Sequence, residues 1–205
     1  MTVIFGLPKS TEISKQLPKK AIYAKFNMNT AAKEKFDADI SKISIVAEIS
    51  PNTINIAKGE NVSAVYVLLV SLKNKNYNEK NLVLLSKLIE QNMLFVLEFE
   101  NERRTAIYRS KLLQSEWVSS EELTVSLKGL NLDAVWENLI KEVGEITLSD
   151  GNTLDEQIAV NEQKEKLQKE IERLEKAARR ESQPNKKLEI VQRINRLKGI
   201  LNEKS

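Results

Sequence analysis

Apolar residues are densest between Ser63 and Phe99, and the fold is predicted around that stretch. Ala64-Val-Tyr-Val-Leu-Leu-Val70 is apolar at successive positions. A central strand covered on both faces requires such a run, so a strand is expected over residues 62–72. The polar break Lys73-Asn-Lys-Asn76 leads to Leu82, Leu85, Leu88 and Ile89 at helical spacing, and Met93-Leu-Phe-Val-Leu97 reads as a second strand. Strand, helix and strand in this order predict a right-handed parallel βαβ unit.

The flanking segments add shorter elements. Ile43, Ile45, Ala47 and Ile49 alternate with Ser44, Val46, Glu48 and Ser50, the period of a half-buried strand. Pro51-Asn52 predicts a turn, with residues 53–56 pairing back as a short strand. Thr30 is a suitable N-cap for a helix through about residue 41, with Ala32, Phe36 and Ile40 on its apolar face. Between Pro8 and Pro18 the sequence predicts a short turn of helix capped by Ser10 or Thr11, and residues 21–26 read as extended. Glu100-Asn-Glu-Arg103 predicts a hairpin turn into residues 105–109, and residues 122–128 a further strand. Leu132, Val135, Trp136, Leu139, Ile140 and Val143 form one helical stripe, with Asn131 as N-cap and Gly144 as stop. The body, residues 1–151, is therefore an α+β domain: a mixed β-sheet packed by three helices.

Residues 152–205 follow a different pattern. Leu167, Ile171, Leu174 and Ala178 step by four, three and four, and so do Ile190, Ile194, Leu197 and Leu201. That is a coiled-coil seam written twice, as mirror images about Pro184. Proline disfavours helical geometry at Gln183, so the chain is expected to fold back there into a charged antiparallel helical hairpin. The fold-back would pair Ala178 with Ile190, Leu174 with Ile194, Ile171 with Leu197 and Leu167 with Leu201. Ile158, Val160, Leu188 and Val191 fall off this seam and are candidates for packing elsewhere, including a homodimer through the hairpin.

Composition narrows the chemistry. With no His and no Cys, the chain lacks ordinary zinc ligands, thiol nucleophiles and a Ser-His-Asp triad. Its six glycines are scattered, so there is no Gly-rich phosphate loop. No apolar run approaches the ~20 residues that span a bilayer, and the first residues lack the pattern of a secretory signal, so no membrane contact and a cytoplasmic location are expected. The formal charge is +3. Residues 1–151 hold nineteen basic and nineteen acidic side chains, and residues 152–205 hold thirteen and ten, so the excess lies in the tail.

Three stretches are candidates for function. Restriction-type nucleases place an acid two positions before a strand-end Lys, where the carboxylate holds magnesium. Here Ser71-Leu72-Lys73 has serine in that place, with Glu48 on the preceding strand as the only substitute; a solvated strand end is the simpler reading of Lys73. Lys111-Leu-Leu-Gln-Ser-Glu-Trp117 mixes polar groups with an aromatic, although Trp117 at a strand edge fits core better. Arg179, Arg180, Lys186 and Lys187 flank the hairpin turn with only Glu181 of opposite sign nearby, and form the candidate nucleic-acid-binding residues. Against this stands a solvated basic turn favoured by the first helix's dipole. No catalytic residue, metal ligand or cofactor is assigned.

Leu7-Pro-Lys-Ser-Thr11, Lys19-Lys-Ala-Ile-Tyr23, Gln91-Asn-Met-Leu-Phe-Val-Leu97, Lys111–Trp117 and Gly129-Leu-Asn-Leu-Asp-Ala-Val-Trp136 together carry a resemblance. With the charged tail, they make the chain similar to the bacterial and archaeal domain of unknown function 4391 family over nearly its full length. None of these segments is a catalytic motif. The resemblance implies genes lying near DNA methyltransferases and helicases of restriction or phage-defence type, and hence such a protein, or nucleic acid, as partner. The expectation is a non-catalytic accessory protein. The alternatives are a divergent metal-dependent nuclease and a self-associating structural module.

Overall fold

The computed structural model describes residues 4–149 and 151–203. The chain divides into two compact units that part between Thr147 and Leu148. The first is built on a seven-stranded mixed sheet. Its strands are β1 (Glu12–Gln16), β2 (Ile40–Ile49), β3 (Val65–Leu72), β4 (Asn92–Phe99), β5 (Glu102–Tyr108) and β6 (Leu112–Gln114), side by side in that order, with β7 (Val118–Ser119) also paired to β5. Only β3 and β4 run parallel; the other neighbours are antiparallel. Between β3 and β4 lies α3 (Glu79–Leu85), whose first turn is capped by the Asn78 side chain. The βαβ unit forms as the apolar runs predict, except that α3 ends at Leu85, so Leu88 and Ile89 pack on the core from the segment beyond the helix.

Register sorts the apolar residues onto two faces. Leu68 lies beside Phe95 and Val70 beside Leu97, and all four point into a core with Ile43, Ile45 and Ala106. Helices α1 (Lys19–Lys25), α2 (Thr30–Asp39) and α3 cover this face with Ile22, Phe36, Leu82 and Leu85. The opposite parity, including Val67, Leu94, Val96 and Ile107, is also buried. A fourth helix, α4 (Leu132–Val143), lies against β5 and β6 and buries all six residues of its predicted stripe. Asn131 accepts from the Ala134 N–H, as expected of its N-cap.

Several short segments differ from expectation. Residues 9–11 make one 3-10 turn, closed by the Thr11 N–H and hydroxyl donating to Pro8 O, and the chain then forms β1 against the free edge of β2. Residues 21–25 belong to α1 and Phe26 closes it, rather than forming an extended run; Ile22 and Phe26, one turn apart, both pack on the core. Asn29, not Thr30, caps α2, which ends at Asp39 because Ile40 is recruited into β2. Residues 53–56 form no strand. Thr53 Oγ1 donates to Glu48 O and accepts from the Ser50 N–H, which holds that segment in a turn. Residues 122–128 also form no strand: Leu123 and Val125 are buried, but the only cross-chain backbone bond there among those described joins Val125 N–H to Phe5 O. Segments this short follow their neighbours' open hydrogen-bond edges rather than their own propensity.

One loop is held by a contact across 71–73 residues of sequence. Asp133, in the first turn of α4, accepts backbone N–H bonds from Glu60 at 2.8 Å and Val62 at 2.7 Å, with Asn61 at 3.2 Å. Desolvation pushes the Asp133 carboxyl upward, but these donors outweigh it and hold the group below the usual carboxylate range. A carboxyl lowered by folding stabilises the fold at neutral pH and loses that contribution as the pH falls through the acid range. Gly59 makes the approach possible, since a Cβ there would lie 2.2 Å from Asp133 Oδ1 and 2.8 Å from the Asp133 backbone N. Gly59→Ala is expected to cost about 1–3 kcal/mol in urea unfolding, through overpacking and the loosened clamp.

Candidate nucleic-acid interface

The second unit is an antiparallel pair of helices, α5 (Leu154–Arg180) and α6 (Pro184–Glu203). At ~1.5 Å per residue the longer one runs about 40 Å. Its start is fixed by a capping box: Thr153 accepts from the Glu156 N–H, and Glu156 accepts from the Thr153 N–H and hydroxyl at 2.8 Å each. Those bonds hold the Glu156 carboxyl below its ordinary value. The buried Gln157 amide ties the preceding turn, accepting from Ser149 N–H and Asn152 Nδ2 and donating to Asn161.

The seam forms where the mirrored heptads place it. Ile171, Leu174, Ala178 and Ile194 are buried together, with Ile190, Leu197 and Leu201 packed against them. Leu167, expected opposite Leu201, is half-buried and stands outside this cluster. Ion pairs cross the hairpin at Glu170–Arg193, 3.2 Å, and at Glu175–Lys198, 2.8 Å. Counted from Pro184, these partners lie 14 before and 9 after, then 9 before and 14 after, so they lean in opposite directions about the predicted pivot. Pro184 is the first residue of α6, where its missing N–H costs no helical hydrogen bond. Glu170 is lowered first by its hydrogen bond from Arg173, with the Arg193 charge adding to it, and Glu175 is lowered by Lys198. Truncating the seam by Ile194→Ala should cost about 2–4 kcal/mol of hairpin stability, read as faster proteolysis within residues 154–203.

At the tip, Arg179, Arg180, Lys186 and Lys187 are all exposed. The dipole of α5 accounts for the arginines, because cations are favoured in a helix's last turn. It does not account for the lysines. They stand at the N-terminus of α6, whose first turn contains no acid, and there the helix's positive end disfavours them. Four cations and a helix N-terminus thus meet at one end of the hairpin.

A family model for a domain of unknown function, DUF4391, matches residues 5–201. The chain belongs to the DUF4391 family. No curated protein and no solved structure matches this DUF4391 chain. Among its described residues no helix is long and apolar enough to cross a membrane.

Other candidate residues of the DUF4391 chain do not converge. Lys73 follows Leu72, which pairs with Ile40, whereas Glu48 pairs with Tyr66. Seven residue steps separate Tyr66 from Lys73, ~23 Å at 3.3 Å each, so Glu48 and Lys73 do not share a site. Trp117 is half-buried against the core, with Lys75 and Arg104 each 5.4 Å from its ring centroid. Arg104 is itself held by Ser115 O, so this group pins the 111–119 segment to the sheet. Leu188 and Val191, off the hairpin seam, are 58% and 38% exposed.

The charge count over residues 1–151 conceals one feature of the DUF4391 body. Residues 9–42 contain eight lysines and four acids, so the rest of the body carries the opposite excess. α1 and α2 bring two of those lysines, Lys20 and Lys33, to one groove with Tyr23 and Asn27. A charge count taken over a shorter window would have found the segment, though not the groove.

Proposed function

We propose that this protein is a non-catalytic accessory subunit of a DNA-processing assembly of restriction-modification or phage-defence type, and that its hairpin tip contacts the nucleic-acid backbone. The observation carrying this reading is the basic first turn of α6. Lys186 and Lys187 lie at a helix N-terminus with no acid in that turn, next to Arg179 and Arg180. That arrangement is unfavourable for the helix alone and favourable when a phosphate sits against it. The family resemblance and the gene neighbourhood it implies support the defence context, with a DNA methyltransferase or helicase as the protein partner.

The test is anisotropy of a fluorescein-labelled DNA duplex titrated with the full chain at increasing salt. Wild type and the Arg179→Glu/Arg180→Glu/Lys186→Glu/Lys187→Glu variant are compared. Weaker binding and a flatter salt dependence in the variant support the reading; equal binding removes the tip from it.

A further inference from the structure

We infer that the body carries a second backbone-phosphate site for nucleic acid, in the groove between α1 and α2. It shares its ligand class with the hairpin reading but depends on none of the hairpin's residues. The groove has a volume of about 550 Å³ and is lined by Lys20, Tyr23, Ala24, Asn27, Met28 and Lys33. Two cations and one amide face it, and no carboxylate lines it. Ala24 and Met28 add an apolar wall suited to the sugar between phosphates.

The surrounding charges favour an anion. Asp37 on α2 is partly exposed, and its charge is offset by Lys19, whose Nζ donates to it at 2.6 Å beside the Tyr23 hydroxyl at the same distance. Asp39 accepts from Asn78 N–H and Asn81 Nδ2 at 2.8 Å each, at the start of α3. Across residues 9–42 eight lysines stand against four acids, so the field around the groove is positive. The floor of the groove is fixed. Tyr23 stands edge-on to the buried Phe36 at 5.9 Å, and the Lys33 ammonium lies 5.8 Å from the Tyr23 ring centroid. A cation held in place before binding loses less side-chain freedom when a phosphate arrives.

The experiment uses the full chain and the same labelled duplex. In Lys20→Gln/Lys33→Gln, two lost phosphate contacts should weaken binding at low salt and make the slope of log affinity against log salt shallower by about 1.8, so that the fall in affinity between about 50 and 200 mM salt is about tenfold smaller than in wild type. Lys20→Arg/Lys33→Arg should restore the slope, since charge rather than shape is at issue. Should the double variant fold poorly, Lys20→Gln alone, at an exposed position, is expected to change the slope by about 0.9. Wild-type slope and affinity in the groove variant overturn the site, whatever the tip variant does. Loss in the groove variant with full binding by the tip variant keeps this site and overturns the hairpin reading. A wild-type chain that does not bind the duplex overturns both.

Discussion

Reversal of Arg179, Arg180, Lys186 and Lys187 to Glu should abolish most of the chain's affinity for duplex DNA at low salt. If each cation neutralises one phosphate, the four contribute about −3.6 to the slope of log affinity against log salt. Between about 50 and 200 mM salt, that contribution alone weakens binding roughly 100-fold in the wild type. In the variant the slope should shrink by the same amount, leaving the dependence due to other cations. Unfolding is a poor explanation for such a loss. All four side chains are exposed and the seam that joins the helices contains none of them. Glu at 186 and 187 is favoured by the α6 dipole and Glu at 179 and 180 disfavoured by that of α5, so the effects on hairpin stability oppose one another. Equal helical signal and equal thermal midpoints, measured by circular dichroism beside the anisotropy, should accompany the loss.

Phe95→Ala should have the largest effect on folding. Phe95 is fully buried in β4, beside Leu68 on β3 and Ala106 on β5, in the core that α1, α2 and α3 cover. Removing a ring from such a position forfeits its transfer energy and leaves a cavity, about 3–5 kcal/mol together. For a unit of this size that lowers the thermal midpoint by roughly 10 °C. Trp117→Ala removes a larger ring but from a half-buried position, so its cost should be smaller and confined to the 111–119 segment. Calorimetry of the two variants checks the order. A Trp117 variant less stable than the Phe95 variant would mean that the sheet end, not its centre, limits stability.

Long periodic segments are legible in the sequence alone. α4 has six apolar residues on one stripe between Asn131 and Gly144, and every one of them is buried. The β3–α3–β4 unit is announced by two strand-length apolar runs around a helical spacing, and it forms as a parallel pair. The hairpin is written twice in heptads, and seven of its eight predicted seam residues cluster. In each case many residues repeat one signal, so local errors cancel.

Short segments carried no such redundancy. β1, β6 and β7 are five, three and two residues long, and they exist because β2 and β5 offered unpaired edges. α1 is seven residues, too few for its Ile22–Phe26 spacing to outweigh an extended reading. The candidate sites divide the same way. Arg179, Arg180, Lys186 and Lys187 are neighbours in sequence and become neighbours at the tip once the chain folds back. Lys20 and Lys33 share a groove only because Tyr23, Phe36 and Asp37 fix α1 against α2.

The sequence by itself thus determined the α+β class, the parallel unit at Ser63–Phe99 and the hairpin with its basic turn, because each is encoded by contiguous periodicity. Only the tertiary structure decided that Glu48 lies far from Lys73, that Asp133 clamps the loop beside Gly59, and that two lysines of α1 and α2 line one groove. Those outcomes depend on strand register and on which surfaces meet, and no local pattern in the chain specifies either.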